Sequence, residues 1–167
     1  EGFEEAAGFD LSRFRTWYSQ AGTPTVTVER VEVEGSNAPR LRLTQANGPT
    51  PGQTEKKPVP IPLRMTAFTA DGTEINPETG EPRDGQDEDV VLLIDEVTEL
   101  QLAPNAADAL ISANRNFSAP VRIKDELTME DRLKLVTVET DAFAKWEALQ
   151  TVARATLLEM AHTIVAG

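Results

Sequence analysis

Few side chains in this sequence could perform chemistry. His162 is the only histidine, and there is no cysteine. A zinc site of the His-Glu-x-x-His type needs two imidazoles one helical turn apart, so a single histidine cannot form it. A Ser-His-Asp triad needs a serine on a Gly-x-Ser-x-Gly turn, and that motif does not occur. We therefore expect no catalytic residue, no metal ligand and no cofactor-binding residue in this chain, and we interpret His162 as a partly exposed helix residue.

One acidic loop has the residue types of a calcium site. Residues 76–89 are rich in glycine, proline and acidic residues, and their carboxylates are hard oxygen ligands that suit calcium. The acidic residues concerned are Asp84, Asp87, Glu88 and Asp89. Their spacing does not match the EF-hand pattern, so a solvated hairpin tip is the preferred interpretation over a calcium loop.

The aromatic residues allow two interpretations. Trp17, Tyr18, Phe117 and Trp146 could form a platform on which a sugar stacks. However, aromatic side chains serve core and interface packing far more often than ligand platforms. We therefore predict that they pack at the joints between helical and β regions. The residues assigned to interdomain packing are Phe14, Trp17, Tyr18, Phe117, Phe143 and Trp146.

Composition limits the classes of partner. The 167 residues are enough for one substantial core, and a hydrophobic fraction of 40% is that of a globular protein. A formal net charge of −12 argues against nucleic acid and anionic membrane surfaces, because both reward Lys and Arg. No run approaches the ~20 apolar residues that span a bilayer, and the start lacks the features of a signal peptide. The absence of cysteine fits a reducing compartment, and the location that we expect for the chain is cytoplasmic.

The elements change type between residues 14 and 24. A helical pattern over about residues 11–20 places Leu11, Phe14 and Tyr18 on one face. Gly22 supplies a residue that can end a helix, and Pro24 cannot continue one. From residue 25 the hydrophobic period becomes two, so the sequence predicts a helix that leads directly into a strand.

The middle of the chain reads as a β region. Seven short apolar segments are separated by turn residues, with no helical pattern between them, which is typical of an antiparallel sandwich of immunoglobulin type. A phase slip after Val28 predicts a β-bulge near Glu29 and Arg30. The proline-rich segment 46–60 predicts an irregular loop. The predicted strands are 25–34, 40–45, 61–70, 90–94, 96–102, 109–115 and 119–124.

Two helices are predicted at the end of the chain. Thr128 and Asp131 resemble a capping box, with Asp in place of the usual Glu or Gln. Asp141 is placed to cap a longer helix with an apolar stripe from Phe143 to Ile164. The fold class is therefore mainly β: an immunoglobulin-like antiparallel β-sandwich flanked by an N-terminal helix and two C-terminal helices. The two final helices read as the first members of a longer helical array.

Four segments together resemble the bacterial aminopeptidase N (alanyl aminopeptidase) family of zinc gluzincins. They are FDLSRFRTWYSQAGTP at 9–24, TPGQTEKKP with PIPLR at 50–64, NRNFSAPV at 114–121 and DAFAKWEA at 141–148. They occur in the family's order along most of the chain. Three positions depart from the family pattern: Thr54 and Ala142 replace proline, and Asn116 replaces glycine.

The resemblance implies a parent enzyme that removes N-terminal residues from peptides. Its zinc would lie in a catalytic domain that precedes this chain, and none of the family's zinc ligands can be assigned here. Residues 1–22 would be the helical tail of that domain, 23–125 an immunoglobulin-like spacer, and 126–167 the first helices of a C-terminal α-solenoid. The implied partners are the other domains of the same polypeptide and the peptide substrates of the parent. Since Glu1 is not Met, we interpret the chain as part of a longer protein.

Two alternatives belong to other functional classes. The first is a free-standing immunoglobulin-like module that binds a protein or a carbohydrate. The second is an enzyme built on acidic residues, which predicts a cleft with converging carboxylates of raised pKa. For the isolated chain we also expect self-association, because helix faces that would meet absent domains become exposed apolar patches.

Overall fold

A computed structural model describes residues 12–83 and 90–166 of the chain. The predicted helix start at Leu11 and the four acidic residues of the calcium alternative lie outside these described residues. Within them, eight strands and three α-helices are formed. The strands are β1 (Thr25–Val31), β2 (Arg40–Ala46), β3 (Ile61–Phe68), β4 (Glu74–Ile75), β5 (Val90–Leu93), β6 (Val97–Gln101), β7 (Leu110–Ala113) and β8 (Arg122–Asp125). The helices are α1 (Thr16–Ser19), α2 (Met129–Val138) and α3 (Ala142–Ala166).

The strands form two sheets. The first sheet has the order β6-β2-β1-β8, and in the second β3 pairs with β4, β5 and β7. All of these pairs are antiparallel except β1 with β8, which is parallel. The predicted mainly β, immunoglobulin-like sandwich with helices at both ends is therefore confirmed, with one parallel pair added.

Alternation along the strands builds the core between the sheets. Inward positions of the first sheet include Val26 and Leu43, and those of the second include Ile61 and Leu63; all four are fully buried. A second, smaller cluster lies on the outer face of the second sheet, where the helices cover it. Its buried members are Phe68, Leu110, Leu135 and Ala148.

The predicted β-bulge at Glu29 and Arg30 is wrong. The register of β1 with β2 is continuous from Thr25 opposite Ala46 to Val31 opposite Arg40. Arg30 keeps the inward phase of the strand, and its Nη2 donates a hydrogen bond to the carbonyl oxygen of Ala109. The apparent phase slip therefore comes from an arginine in an inward position and not from an extra residue.

Several predicted strand ends are also corrected. The strand predicted over 109–115 ends at Ala113, because the next residue, Asn114, and then Asn116 and Phe117 have positive φ. The first strand ends at Val31, and the last strand spans Arg122–Asp125, later than the predicted 119–124. The N-terminal helix is shorter than predicted: a 3-10 turn over Ser12–Arg15 leads into the single turn of α1.

The two C-terminal helices and their caps are formed as predicted. The Thr128 side chain accepts from the backbone N–H of Asp131, whose carboxylate in turn accepts from the backbone N–H of Thr128. The carboxylate of Asp141 accepts from the N–H of Ala144 in the first turn of α3 at 2.8 Å. His162 lies exposed near the end of α3. None of the helices among the described residues has the length and hydrophobicity of a bilayer span.

Candidate functional site: two joints at opposite ends of the sandwich

The side-chain contacts that could serve a function gather at the two ends of β3. Pro60, which directly precedes β3, contacts Trp17, and Phe68, which ends β3, lies opposite Glu74. The eight residues of β3 span about 26 Å at ~3.3 Å per residue. We name the contacts of residues 17–22 with residues 47–60 the N-terminal joint. The cluster of Glu74, Ser112, Arg115, Glu139 and Thr140 is named the C-terminal joint.

Two glutamines hold the N-terminal joint by using both ends of their amides. Gln20 donates from Nε2 to the carbonyl oxygen of Lys57 at 2.9 Å and accepts from the Lys57 N–H at 2.6 Å. Gln53 donates from Nε2 to the carbonyl oxygen of Ser19 and accepts from the N–H of Ala21, both at 2.8 Å. Each glutamine amide both donates to and accepts from backbone groups, as the backbone of a neighbouring strand would. These bonds satisfy backbone N–H and C=O groups that have no partner in a regular element.

Lys56 and Gly22 complete the N-terminal joint. The Lys56 ammonium donates to the carbonyl oxygen of Ala21 at 2.6 Å, to Thr50 Oγ1 at 2.8 Å and to Gln53 Oε1 at 3.0 Å. Gly22 has φ +98°, and a Cβ at this position would lie 2.7 Å from Asn47 Oδ1. The loop therefore fits closely against a glycine, and its lysine uses all three of its donors.

Of the N-terminal aromatic residues, Trp17 anchors the helix. Its Nε1 donates to the carbonyl oxygen of Pro60 at 2.8 Å, and its half-buried ring packs against the main core. Tyr18 is 84% exposed and lies edge-on to Phe14, with ring centroids 6.1 Å apart. Tyr18 is therefore not buried against the sandwich, and its packing between domains stays a prediction.

Arg115 is the centre of the C-terminal joint. It is 2% exposed, and its Nη1 donates to Glu74 Oε1 at 2.7 Å. Its Nε and Nη2 both donate to Glu139 Oε1, at 3.2 and 3.0 Å, and Nη2 also donates to Thr140 Oγ1 at 2.7 Å. One arginine therefore links the β4 strand, the turn after β7 and the corner between α2 and α3.

Glu139 forms that corner. It ends α2, and its Oε1 also accepts from the backbone N–H groups of Thr140 and Asp141, both at 2.8 Å. Its Oε2 accepts from the Ser112 hydroxyl. The excess negative charge of two carboxylates around one arginine is offset by these donors and by the N-terminal end of α3, where the helix dipole favours an anion.

Three of the predicted aromatic residues meet beside the C-terminal joint. The rings of Phe117 and Phe143 are 5.2 Å apart, and those of Phe143 and Trp146 are 6.0 Å apart. Phe117 and Trp146 are each more than half exposed. Asp141 ties the group to the sandwich, because its Oδ1 accepts from the Asn116 N–H at 3.0 Å. Their role between domains stays a prediction.

Sequence reasoning did not identify the polar residues of either joint. The predicted strand 109–115 includes Arg115, and the helix-cap pattern points to Asp141 and not to Glu139. A usable signal was present: in a strand with Ile111 and Ala113 facing inward, Arg115 falls in the same phase and requires a buried carboxylate. Gln20, Gln53 and Lys56 carried no comparable signal, because their partners are backbone groups of an irregular loop.

Within residues 12–83 and 90–166, no group of three or more His, Cys, Asp or Glu side chains is placed to hold a metal ion. Burial raises the pKa of the Glu147 carboxyl on α3, an effect that the nearby Arg132 opposes and Asp125 reinforces. The hydrogen bonds of the two joints link separate elements of the fold.

Comparison with known proteins finds relatives that carry the name aminopeptidase N. The chain is 40% identical over 159 residues to aminopeptidase N of Caulobacter vibrioides and 33% identical over 151 residues to that of Haemophilus influenzae. These alignments cover 95% and 88% of this chain but 17% of each relative.

A solved structure shares the fold. The crystal structure of Legionella pneumophila aminopeptidase A in complex with aspartic acid superposes with a TM-score of 0.74 at 23% identity, over 95% of this chain and 16% of that one. A family model described as a domain of unknown function (DUF3458) with an Ig-like fold matches residues 22–126. The chain therefore belongs to the DUF3458 family of immunoglobulin-like domains.

Proposed function

We propose that this chain is a non-catalytic spacer of a cytoplasmic, zinc-dependent aminopeptidase N that removes N-terminal amino acids from peptides during peptide catabolism. Its task is to hold the catalytic domain and the C-terminal helical domain in a fixed relation. In this proposal residues 1–22 are the tail of the catalytic domain, 23–125 the spacer and 126–167 the start of the helical domain. The partners are those domains, and peptide substrates bind to the parent.

The observation that carries the proposal is the construction of the two joints. A flexible linker would join the sandwich to its neighbours through exposed, sparsely bonded backbone. Instead, α1 is held by side-chain bonds from Gln20, Gln53 and Lys56, and the α2–α3 corner is held by the buried Arg115. Because these contacts lie at opposite ends of β3, they fix the chain that enters the sandwich relative to the chain that leaves it.

The proposed zinc does not fit the residues described here, since they bring together no group of metal ligands. The proposal therefore assigns the metal to the catalytic domain of the longer polypeptide. Zinc bound there would supply Lewis-acid chemistry for peptide hydrolysis. Residues of this chain affect the reaction through the placement of domains.

The aromatic residues have a place in this proposal. Phe14 and Tyr18 are exposed on the N-terminal side and are available to the catalytic domain. Phe117 of the spacer packs against Phe143 at the start of the helical domain, and Phe143 packs against Trp146. Exposed apolar residues along α3, among them Leu157, Met160 and Ile164, would be covered by later helices. Without those helices we expect the 167-residue chain to self-associate at millimolar concentration. Light scattering that shows a strict monomer would contradict this.

Two assays test the function. The isolated chain, incubated with zinc and an alanyl chromogenic substrate, is expected to release no product; hydrolysis by pure protein would overturn the non-catalytic assignment. In the longer polypeptide, Arg115→Met should retain zinc and hydrolyse dipeptides, yet change the ratio of kcat/KM between long and short peptides. Arg122→Ala, on an exposed arginine of the same sandwich, is the matched control and should leave the ratio unchanged. An unchanged ratio in folded Arg115→Met would refute the positioning role.

A further inference from the structure

The outer face of the second sheet is covered over only one half. At the end of β3, Phe68 and its neighbour Leu110 on β7 point away from the main core and are buried against Leu135 of α2 and Ala148 of α3. Ser112, two residues along, bonds Glu139 at the helix corner. The helices therefore shield this half from water.

The other half carries apolar side chains that remain exposed. Pro62 on β3, which is half-buried, lies opposite Leu92 on β5, Val90 shares the phase of Leu92, and Ile94 follows directly after the strand. Val90 is 50% exposed, Leu92 51% and Ile94 36%. We name Pro62, Val90, Leu92 and Ile94 the uncovered face.

The outer face of the first sheet shows what a solvated face of this protein looks like. There Arg40 and Arg42 both pair with Glu99, at 3.2 and 2.8 Å. Antiparallel sheets with one face in water place polar residues on that face. The uncovered face is mainly apolar, with Arg64 of β3 as its charged neighbour opposite Val90, and exposed apolar residues of this kind mark contact surfaces.

The chain enters the sandwich beside this face. Arg13 pairs with Asp95, the residue after Ile94, at 3.3 Å. Trp17 bonds the carbonyl oxygen of Pro60, two residues before Pro62. Phe14 and Tyr18 on the same segment are exposed. The chain spans 17% of the length of these curated relatives, so a longer polypeptide of this kind has material to cover the face.

We propose that the uncovered face is the docking surface for the part of the same polypeptide that precedes Ser12. This inference rests on the proposed function, which places a catalytic domain there. The uncovered face and the helix-covered half then form one continuous contact layer, in which the second sheet lies between the preceding domain and the C-terminal helices. The charged face of the first sheet stays in solvent.

Thiol reactivity tests the docking. The chain has no cysteine, so Leu92→Cys introduces a single thiol whose alkylation rate can be measured by mass spectrometry of its peptide. Lys124→Cys is the matched control, since Lys124 is exposed on the outer face of the first sheet. In the 167-residue chain at low concentration both thiols should react at similar rates. In the longer polypeptide, Leu92→Cys should react at least tenfold more slowly while Lys124→Cys is unchanged.

Equal reactivity of Leu92→Cys in both proteins would overturn the inference. The inference would also be overturned if Leu92→Cys became protected in the 167-residue chain as its concentration rises but stayed reactive in the longer polypeptide. A second copy of the chain would then be the occupant of the uncovered face. Aminopeptidase activity of the same longer polypeptide, measured in parallel, separates the two proposals. Protection without activity refutes the proposed function and supports docking, whereas activity without protection refutes docking alone.

Discussion

Arg115 and Glu139 are 24 residues apart, yet Glu139 Oε1 lies within 3.2 Å of both Nε and Nη2 of Arg115. The bond joins the turn that follows the last strand of the second sheet to the corner between two helices. Both side chains are almost completely buried. The helices are therefore bonded to the sandwich through a charge pair that has no access to bulk water.

Replacing Arg115 should be strongly destabilising. Arg115→Met leaves Glu74 and Glu139 buried without their counter-charge, and breaking a buried ion pair in this way costs ~3–5 kcal/mol. Urea unfolding of the 167-residue chain measures the change. Arg122→Ala should cost less than ~0.5 kcal/mol because that side chain is exposed. A loss below ~1 kcal/mol for Arg115→Met would show that the cluster is not what holds the helices.

Gly22 and Gly35 both have positive φ, and comparing them distinguishes the cost of backbone strain from the cost of a steric contact. Gly22 has φ +98° and Gly35 has φ +77°, but only Gly22 has a neighbouring atom, Asn47 Oδ1, where a Cβ would lie. Gly35→Ala should cost ~1–2 kcal/mol from the left-handed backbone alone. Gly22→Ala should cost more, and Asn47→Ala in the same chain should recover the difference. Equal losses in chemical denaturation for the two glycine variants would contradict the contact.

The neighbouring aromatic residues Trp17 and Tyr18 should behave differently. Trp17→Ala removes a half-buried ring and the hydrogen bond to Pro60, so we expect a loss of ~2–3 kcal/mol, below the ~3–5 kcal/mol of a fully buried tryptophan. Tyr18→Ala should change the free energy of unfolding by less than ~0.5 kcal/mol, because Tyr18 is 84% exposed. Comparable losses from the two variants would show that Tyr18 is also an anchor.

Glu147 should make stability depend on pH. Burial raises the pKa of its carboxyl in the folded chain, with Arg132 opposing and Asp125 reinforcing the shift. The folded state therefore binds this proton more readily than the unfolded state, and the ionised carboxylate lowers stability above its folded-state pKa. Glu147→Gln should raise the Tm at pH 7.

Measuring the Tm of Glu147→Gln over a range of pH tests the cause of the expected gain. The gain from Glu147→Gln should shrink as the pH falls through the raised pKa, and vanish below the ordinary glutamate pKa, where the carboxyl is protonated in both states. Glu159→Gln, on an exposed residue of the same helix, should leave the Tm nearly unchanged at every pH. A Tm gain for Glu147→Gln that stays constant down to pH 3 would contradict the assigned cause.

The hydrophobic period of the sequence predicts most of the strands. Alternation such as that of Val26 with Val28, or of Leu41 with Leu43, shows locally which face of a strand is buried. The helix caps at Thr128 and Asp141 were equally local. The same reasoning went wrong at Arg30, where a long polar side chain occupies an inward position and finds a carbonyl on the facing sheet. No residue near Arg30 in the sequence indicates that the carbonyl of Ala109 is its hydrogen-bond partner.

The candidate site was less predictable for the same reason. Trp17 and the group of Phe143 and Trp146 were identified from residue type, and their contacts follow. The partners of Arg115 lie 41 and 24 residues away, on a two-residue strand and at a helix corner. Choosing them from 28 acidic residues requires the tertiary structure. The difference in polarity between the outer faces of the two sheets also requires the strand register, because the register assigns each side chain to one face.

The parallel pair of β1 and β8 has a consequence for the order in which the protein is made. Residues 25–28 find their neighbours at 122–125, about a hundred residues later in synthesis. Until Asp125 has left the ribosome, that edge of β1 presents unpaired N–H and C=O groups, and contacts of such long sequence separation form slowly. The nascent chain is therefore most exposed to mispairing just before β8 emerges, and a translation pause once Asp125 has emerged would favour correct closure of the first sheet.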